Sequence, residues 1–265
     1  MKKTLQILNA FALIVVIFIN YLSVSGLFND TTIGEVSDSL NSLFTPAGYA
    51  FSIWGMIYLL LFGFVIFQGR SLFKPVKDDD FVLRVGWWFI ISCTANSLWV
   101  VCWIYEYTGL SCICIFVLLF SLIKIVQNNR MELWDAPITV IAFLWWPFVV
   151  YSGWVTVASI ANVASYLVKI GWDAFGISPI TWTIIMIIIA TAINLIVTWK
   201  RNMREFALVG AWALIAIAIE NKDIHSIIFY VAIGAALVLI ISSTYHSYLN
   251  RDTNPFKKLQ QYQQK

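Results

Sequence analysis

The sequence predicts an all-α, polytopic membrane helical bundle with eight spans and both termini cytoplasmic, and three observations predict it. Only 12% of the 265 residues are charged while 60% are hydrophobic, against roughly 25% charged in soluble domains. Mean hydropathy is +0.81, so too little polar surface remains to coat a globule in water. The apolar residues gather in eight runs, at about 5–27, 46–68, 82–105, 109–126, 136–168, 176–199, 206–219 and 226–247. A helix needs about 20 apolar residues to cross a hydrocarbon core of about 30 Å, and only helices satisfy the backbone there without a closed barrel. The third observation is charge: one topology puts fifteen of the seventeen Lys and Arg on a single side, as the positive-inside rule asks.

Taken in order, the first run follows Met1-Lys2-Lys3 and reaches Leu27. It resembles a signal peptide, with Ser23-Val24-Ser25 as a small-residue cleavage site, but its length suits an uncleaved span. The loop 28–45 carries Asp30, Glu35 and Asp38 and is the longest outer segment. The second run enters through Pro46 and Gly48. The fifth is 33 residues long, too long for one straight crossing at about 1.5 Å per residue. Split in two, it would send Lys200, Arg201 and Arg204 outside. As one long helix, kinked near Pro147 and Gly153, it leaves only Lys169 and Lys222 outside. The seventh run, 206–219, is short and must borrow from its flanks or thin the bilayer. The polar tail after His246, rich in Gln and Lys, is expected to fray at the cytoplasmic surface.

Composition also excludes functions. No basic run is long enough to track phosphates, so nucleic acid is not a partner. Cys93, Cys102, Cys112 and Cys114 lie in apolar runs at spacings that fit no zinc motif. The span interiors hold essentially no ionisable residue, which argues against proton-coupled transport. His225 and His246 fall at span ends on opposite sides and cannot share a metal; His246 reads as an interfacial residue. Most Trp, including Trp87, Trp145, Trp172 and Trp199, fall near run ends, where an aromatic belt explains them.

Trp54, Trp99 and Trp154 lie deeper. Trp54 and Tyr58 are four apart and share a helix face, a plausible wall for a flat, greasy ligand. Asn20, Asn96, Asn162 and Asn194 are polar residues inside spans. Each reads either as glue between helices, worth about 0.6 kcal/mol on average, or as a ligand contact through its amide. Gly153 and Ala158 leave room beside the fifth helix.

Pro46, Trp54 and Tyr58 together resemble the second-helix signature of the TspO/MBR family, the tryptophan-rich sensory or translocator proteins. Asn96-Ser97-Leu98-Trp99 is similar to that family's third-helix Asn-x-Leu-Trp, and Trp154 through Asn162 resembles its fifth-helix Trp, small-residue run and Asn. The three matches occur in family order. The sequence departs where Leu43 and Asn41 stand near the family's first-loop Trp and Lys-Pro, and where Val101 and Val150 replace prolines. The resemblance implies a TspO-like five-helix core over 1–170, followed by three additional spans over 171–248 and a tail over 249–265. It implies a pocket opening toward the first loop, with Pro46, Trp54, Tyr58, Asn96, Trp99, Trp154, Ala158 and Asn162 as ligand-binding residues. The ligand it implies is a porphyrin (tetrapyrrole) or sterol, in a sensory or transport-related role in a bacterial cytoplasmic membrane. Light-dependent porphyrin degradation is reported for some family members, but no residue pattern here supports catalysis. The alternative reading is a permease for an uncharged or amphipathic small molecule. The partners to expect are the lipid bilayer, a small hydrophobic ligand and, as one open state, a second copy in a homodimer.

Overall fold

The structure is a computed structural model that describes residues 1–76, 79–251 and 259. All regular elements among the described residues are helices. Eight are the apolar runs: α1 (Lys2–Val24), α3 (Ile53–Phe73), α5 (Trp88–Ile104), α6 (Thr108–Asn128), α7 (Ile138–Lys169), α8 (Pro179–Arg201), α9 (Arg204–Asn221) and α10 (Ser226–Leu249). Two short helices, α2 (Ile33–Ser39) and α4 (Phe81–Val85), sit in connections. Six of the long helices are apolar and long enough to cross a bilayer by length and composition. The chain is an all-α polytopic membrane bundle. The tail expected to fray lies, beyond Arg251, outside the described residues apart from Leu259.

Local sequence explains the ends. Thr32 caps α2: its hydroxyl accepts from the Glu35 N–H at 3.3 Å while the Glu35 carboxylate accepts from the Thr32 N–H at 2.8 Å, a reciprocal capping box. Ser178 caps α8, with Pro179 at the first helical position, where its missing N–H costs nothing. The short seventh run becomes α9 by taking in Arg204, Glu205, Glu220 and Asn221 from its flanks.

The fifth run is one helix, as expected, and its irregularity lies beside Pro147 and not at Gly153. Ile141–Trp145 form a π-helical turn, in which the Trp146 N–H donates to Ile141 O, just before Pro147. The chain relaxes ahead of the proline, where widened turns accommodate the mismatch. Gly153 is regular helix and serves packing instead: a Cβ there would lie 2.9 Å from the Phe206 carbonyl oxygen and 3.2 Å from Val209 Cβ. Among the six long apolar helices α7 is the most enclosed, with 67% of its most apolar stretch buried against 28% for α1, α8 and α10. It forms the axis of the bundle, contacting α3, α6, α8 and α9, while α1 packs on α3 and α5.

Polar ties mark the two ends. At one end Lys2 pairs with Asp79 and Asp80. Beside it Gln6 donates to the Gln68 carbonyl and to Ser71, and Asn9 donates to Gln68 Oε1 at 2.9 Å, joining α1 to α3. At the other end Lys169 pairs with Glu106 at 2.8 Å. His246, in the last turn of α10, is 3% exposed and packs edge-on against Trp199. Trp145 is 2% exposed and packs edge-on to Trp134.

Candidate functional site

The sequence-predicted residues converge at the end of the bundle that carries the loop 25–52. Pro46 and a 3₁₀ turn over Gly48–Ser52 deliver the chain into α3. Trp54 then meets four rings. Its centroid lies 5.7 Å from Tyr58 in a stacked pair, 5.7 Å from Tyr151 edge-on, 6.1 Å from Trp99 and 6.4 Å from Trp154 edge-on. The spacings explain which rings can meet: Tyr58 follows Trp54 by one turn, and Tyr151 precedes Trp154 by one turn on α7. Edge-to-face pairs of this kind add about 0.5–1.5 kcal/mol each beyond burial.

Two amide hubs hold this aromatic cluster. Asn96, fully buried on α5, donates to the Tyr151 hydroxyl at 2.9 Å and accepts from Asn20 of α1 at 2.8 Å and from the Tyr58 hydroxyl at 3.4 Å. It therefore ties α1, α3, α5 and α7 together. Asn162 of α7 accepts from the Trp99 indole at 2.7 Å and donates to Ser111 at 2.8 Å, adding α6. Trp103 donates to the Ile33 carbonyl at 3.1 Å and fastens α2 over the end of α5.

Against this, the indole N–H groups of Trp54 and Trp154 are buried and have no hydrogen-bond partner. Donors in that state normally find one, and each costs on the order of 1–3 kcal/mol when left unmade.

Two cavities flank the cluster. A groove of about 720 Å³ runs between α1, α2 and α3, with Ile17, Asn20, Tyr21, Phe51, Trp54 and Tyr58 on its walls and Glu35 and Asp38 on its α2 side. A narrow cleft of about 30 Å³ lies behind it, lined by Pro46, Phe51, Trp99, Trp103, Trp154, Ala158, Asn162 and, from α9, Ala213. Phe51 borders both, and it meets Trp154 edge-on at 6.0 Å. The rings of Phe51, Trp54 and Trp154 are thus a partition between a roomy compartment and one with space for little more than a water.

On α2, the Thr32 backbone N–H holds the Glu35 carboxyl below the usual carboxylate range. Burial and the neighbouring Glu35 charge push Asp38 above it.

Of the eight residues predicted from sequence, seven line one of the two cavities, and Asn96 sits behind them as a hub. Sequence reasoning missed Phe51, Tyr151, Trp103 and Ala213 as members of the cluster. Tyr151 carried a signal, its one-turn spacing from Trp154; Ala213 carried none.

A family model described as TSPO-like protein matches residues 6–245. The chain belongs to the TSPO-like family. The match runs through α8, α9 and most of α10, so the helices beyond the fifth span lie inside the matched region. Comparison with curated proteins and with solved structures gave no match. α9 also belongs to the site physically. The Ala47 N–H donates to Ala216 O at 3.1 Å, the Trp212 indole to Ala50 O at 3.4 Å, and Asn221 to Leu43 O at 3.1 Å. In this TSPO-like chain the segment that carries Pro46 into α3 is stapled to α9 along its length.

Proposed function

We propose that this integral membrane TSPO-like protein binds a planar hydrophobic molecule, of sterol or porphyrin type, in the groove between α1, α2 and α3, in a sensory or transport-related role. The observation that carries the reading is the pair of buried, unpartnered indole N–H groups on Trp54 and Trp154, on either side of an aromatic partition. Flat apolar ligands are held by apolar walls with a few convergent donors, in pockets of about 300–1,000 Å³. The groove, at about 720 Å³, falls in that range, whereas the cleft at about 30 Å³ admits such a molecule only if the partition swings aside.

The test is a titration of the protein in lipid nanodiscs with dehydroergosterol and with protoporphyrin, read by quenching of Trp fluorescence. Trp54→Phe keeps a ring and removes the donor, so its Kd is expected to rise about 5–10-fold, the worth of one neutral hydrogen bond. Unchanged quenching in both Trp54→Phe and Trp154→Phe would overturn the reading.

One observation favours transport over sensing. The cleft reaches past α7 to Ala213 of α9, giving the ligand a second compartment. Flux of the bound probe across proteoliposomes, lost when Ala213→Phe fills that compartment, supports a permease; binding without flux supports a sensor.

A further inference from the structure

Resting on the groove reading above, the geometry points to the charge of the ligand: a cationic amphiphile, with its apolar body between α1 and α3 and its positive head against Glu35 and Asp38 of α2. The groove is itself amphipathic. Its depth is walled by Ile17, Trp54 and Tyr58, while its α2 side presents two carboxylates and no basic residue. Glu35 and Asp38 are three residues apart, so they sit on one helix face about one turn from each other.

Neither carboxylate is neutralised among the described residues. Glu35 spends one oxygen on the Thr32 N–H and the Thr31 hydroxyl, and neither Glu35 nor Asp38 forms an ion pair there. Of the two cations expected outside, Lys169 is held by Glu106 and Lys222 forms no ion pair with either acid among the described residues. Burial and the neighbouring Glu35 charge push the Asp38 carboxyl above the usual carboxylate range, a push that a cation beside it would relieve.

A second feature lies at the groove wall. Trp54 is 8% exposed and lines the groove, and its indole N–H is buried without an acceptor. Its ring also stacks with Tyr58, a flat apolar surface suited to a planar ligand body. The ligand body is therefore aromatic or carries one acceptor at depth, with the charge at the mouth. Low-dielectric walls focus the field of the two acids on that mouth.

The experiment compares two flat dyes of equal size, N-decylacridinium and the neutral N-decylacridone, on the full chain in phosphatidylcholine nanodiscs, with Kd read by energy transfer from Trp. The acridinium is expected to bind at least 10-fold more tightly than the acridone. In Glu35→Gln/Asp38→Asn that ratio falls to about 1–3 while the acridone Kd stays put. Gln at position 35 keeps the capping-box geometry, and Asp38 is solvent-exposed, so the variant retains α2; its thermal melt checks this. Equal binding of both dyes by the unaltered chain, or an unchanged ratio in the double variant, overturns the charge assignment and leaves the groove reading standing. Binding of neither dye overturns both.

Discussion

Asn96 shows how one amide can be both structural and decisive for the site. With partners on α1, α3 and α7, it fixes the rings that Trp54 packs against. Asn96→Ala removes three interhelical bonds and leaves the Tyr58 and Tyr151 hydroxyls without the partner they have here. At about 0.6 kcal/mol per bond inside membranes, plus the unmet groups, the loss comes to about 2–4 kcal/mol. We expect a clear drop in the thermal unfolding midpoint in detergent, measured by intrinsic fluorescence, and a weaker ligand as a secondary effect. Asn162→Ala frees the Trp99 indole on α5 and cuts the bond to Ser111 on α6, and should lower the midpoint by a comparable amount. The sequence offered two roles for each Asn, glue or ligand contact, and a linear chain cannot separate them. Asn96 needed a tyrosine 55 positions away to settle its partners. Trp54 and Trp154 were easier, because indoles deep in spans stand out against a belt that explains most other tryptophans.

At the scale of elements, α2 and α7 carry opposite kinds of information. α2 is held by a capping box in which the Glu35 carboxylate accepts from the Thr32 N–H. Glu35 in the folded chain sits below its ordinary value, so its contribution is fully present above the unfolded carboxylate range and is lost as pH falls through the folded value. Asp38 has the reverse sign, since its raised value makes its charged form the disfavoured one. Acidification should therefore first relieve Asp38 and then fray α2. Amide exchange over Ile33–Ser39, corrected for intrinsic rates, checks this, and Thr32→Ala should fray α2 at neutral pH, at about 1 kcal/mol.

α7 depends on close approach. Gly153→Ala puts a methyl 2.9 Å from the backbone of Phe206, which has no flexible end to yield. A destabilisation of about 1–3 kcal/mol is expected, with Gly153→Val worse, both visible as lower unfolding midpoints. The single long helix was legible from charge, because splitting it would have moved three basic residues across the bilayer. The position of its defect was not: Pro147 announces a strained helix, but whether the chain kinks or widens, and at which turn, depends on the neighbours of Ile141–Trp145.

The molecule as a whole was legible for a physical reason. A bilayer leaves the chain few choices, so run length and charge asymmetry nearly dictate the helices. The site was legible only where residues share one helix. Tyr58 with Trp54, and the spacing from Trp154 to Asn162, are local facts. The enclosure of the site by α9 is a tertiary one, and no spacing along the chain foretells that Ala213, Trp212 and Ala216 would reach residues 46–50. Removing that enclosure is informative: Trp212→Phe/Asn221→Ala cuts two of the three bonds to the segment. It is expected to weaken groove binding several-fold while leaving the unfolding midpoint within a few degrees.

The contact at Gly153 has a mechanical consequence. α9 touches α7 there near its own start, at Phe206, and grips the outer segment near its far end, at Ala216 and Asn221. Because α9 is packed along its length against α7, α8 and α10, a shift at the Gly153 contact is expected to move it as one body and to reach Leu43–Ala50 through the bonds at its other end. Spin labels on α9 and on the outer segment, their separation followed with and without ligand, would register that stroke.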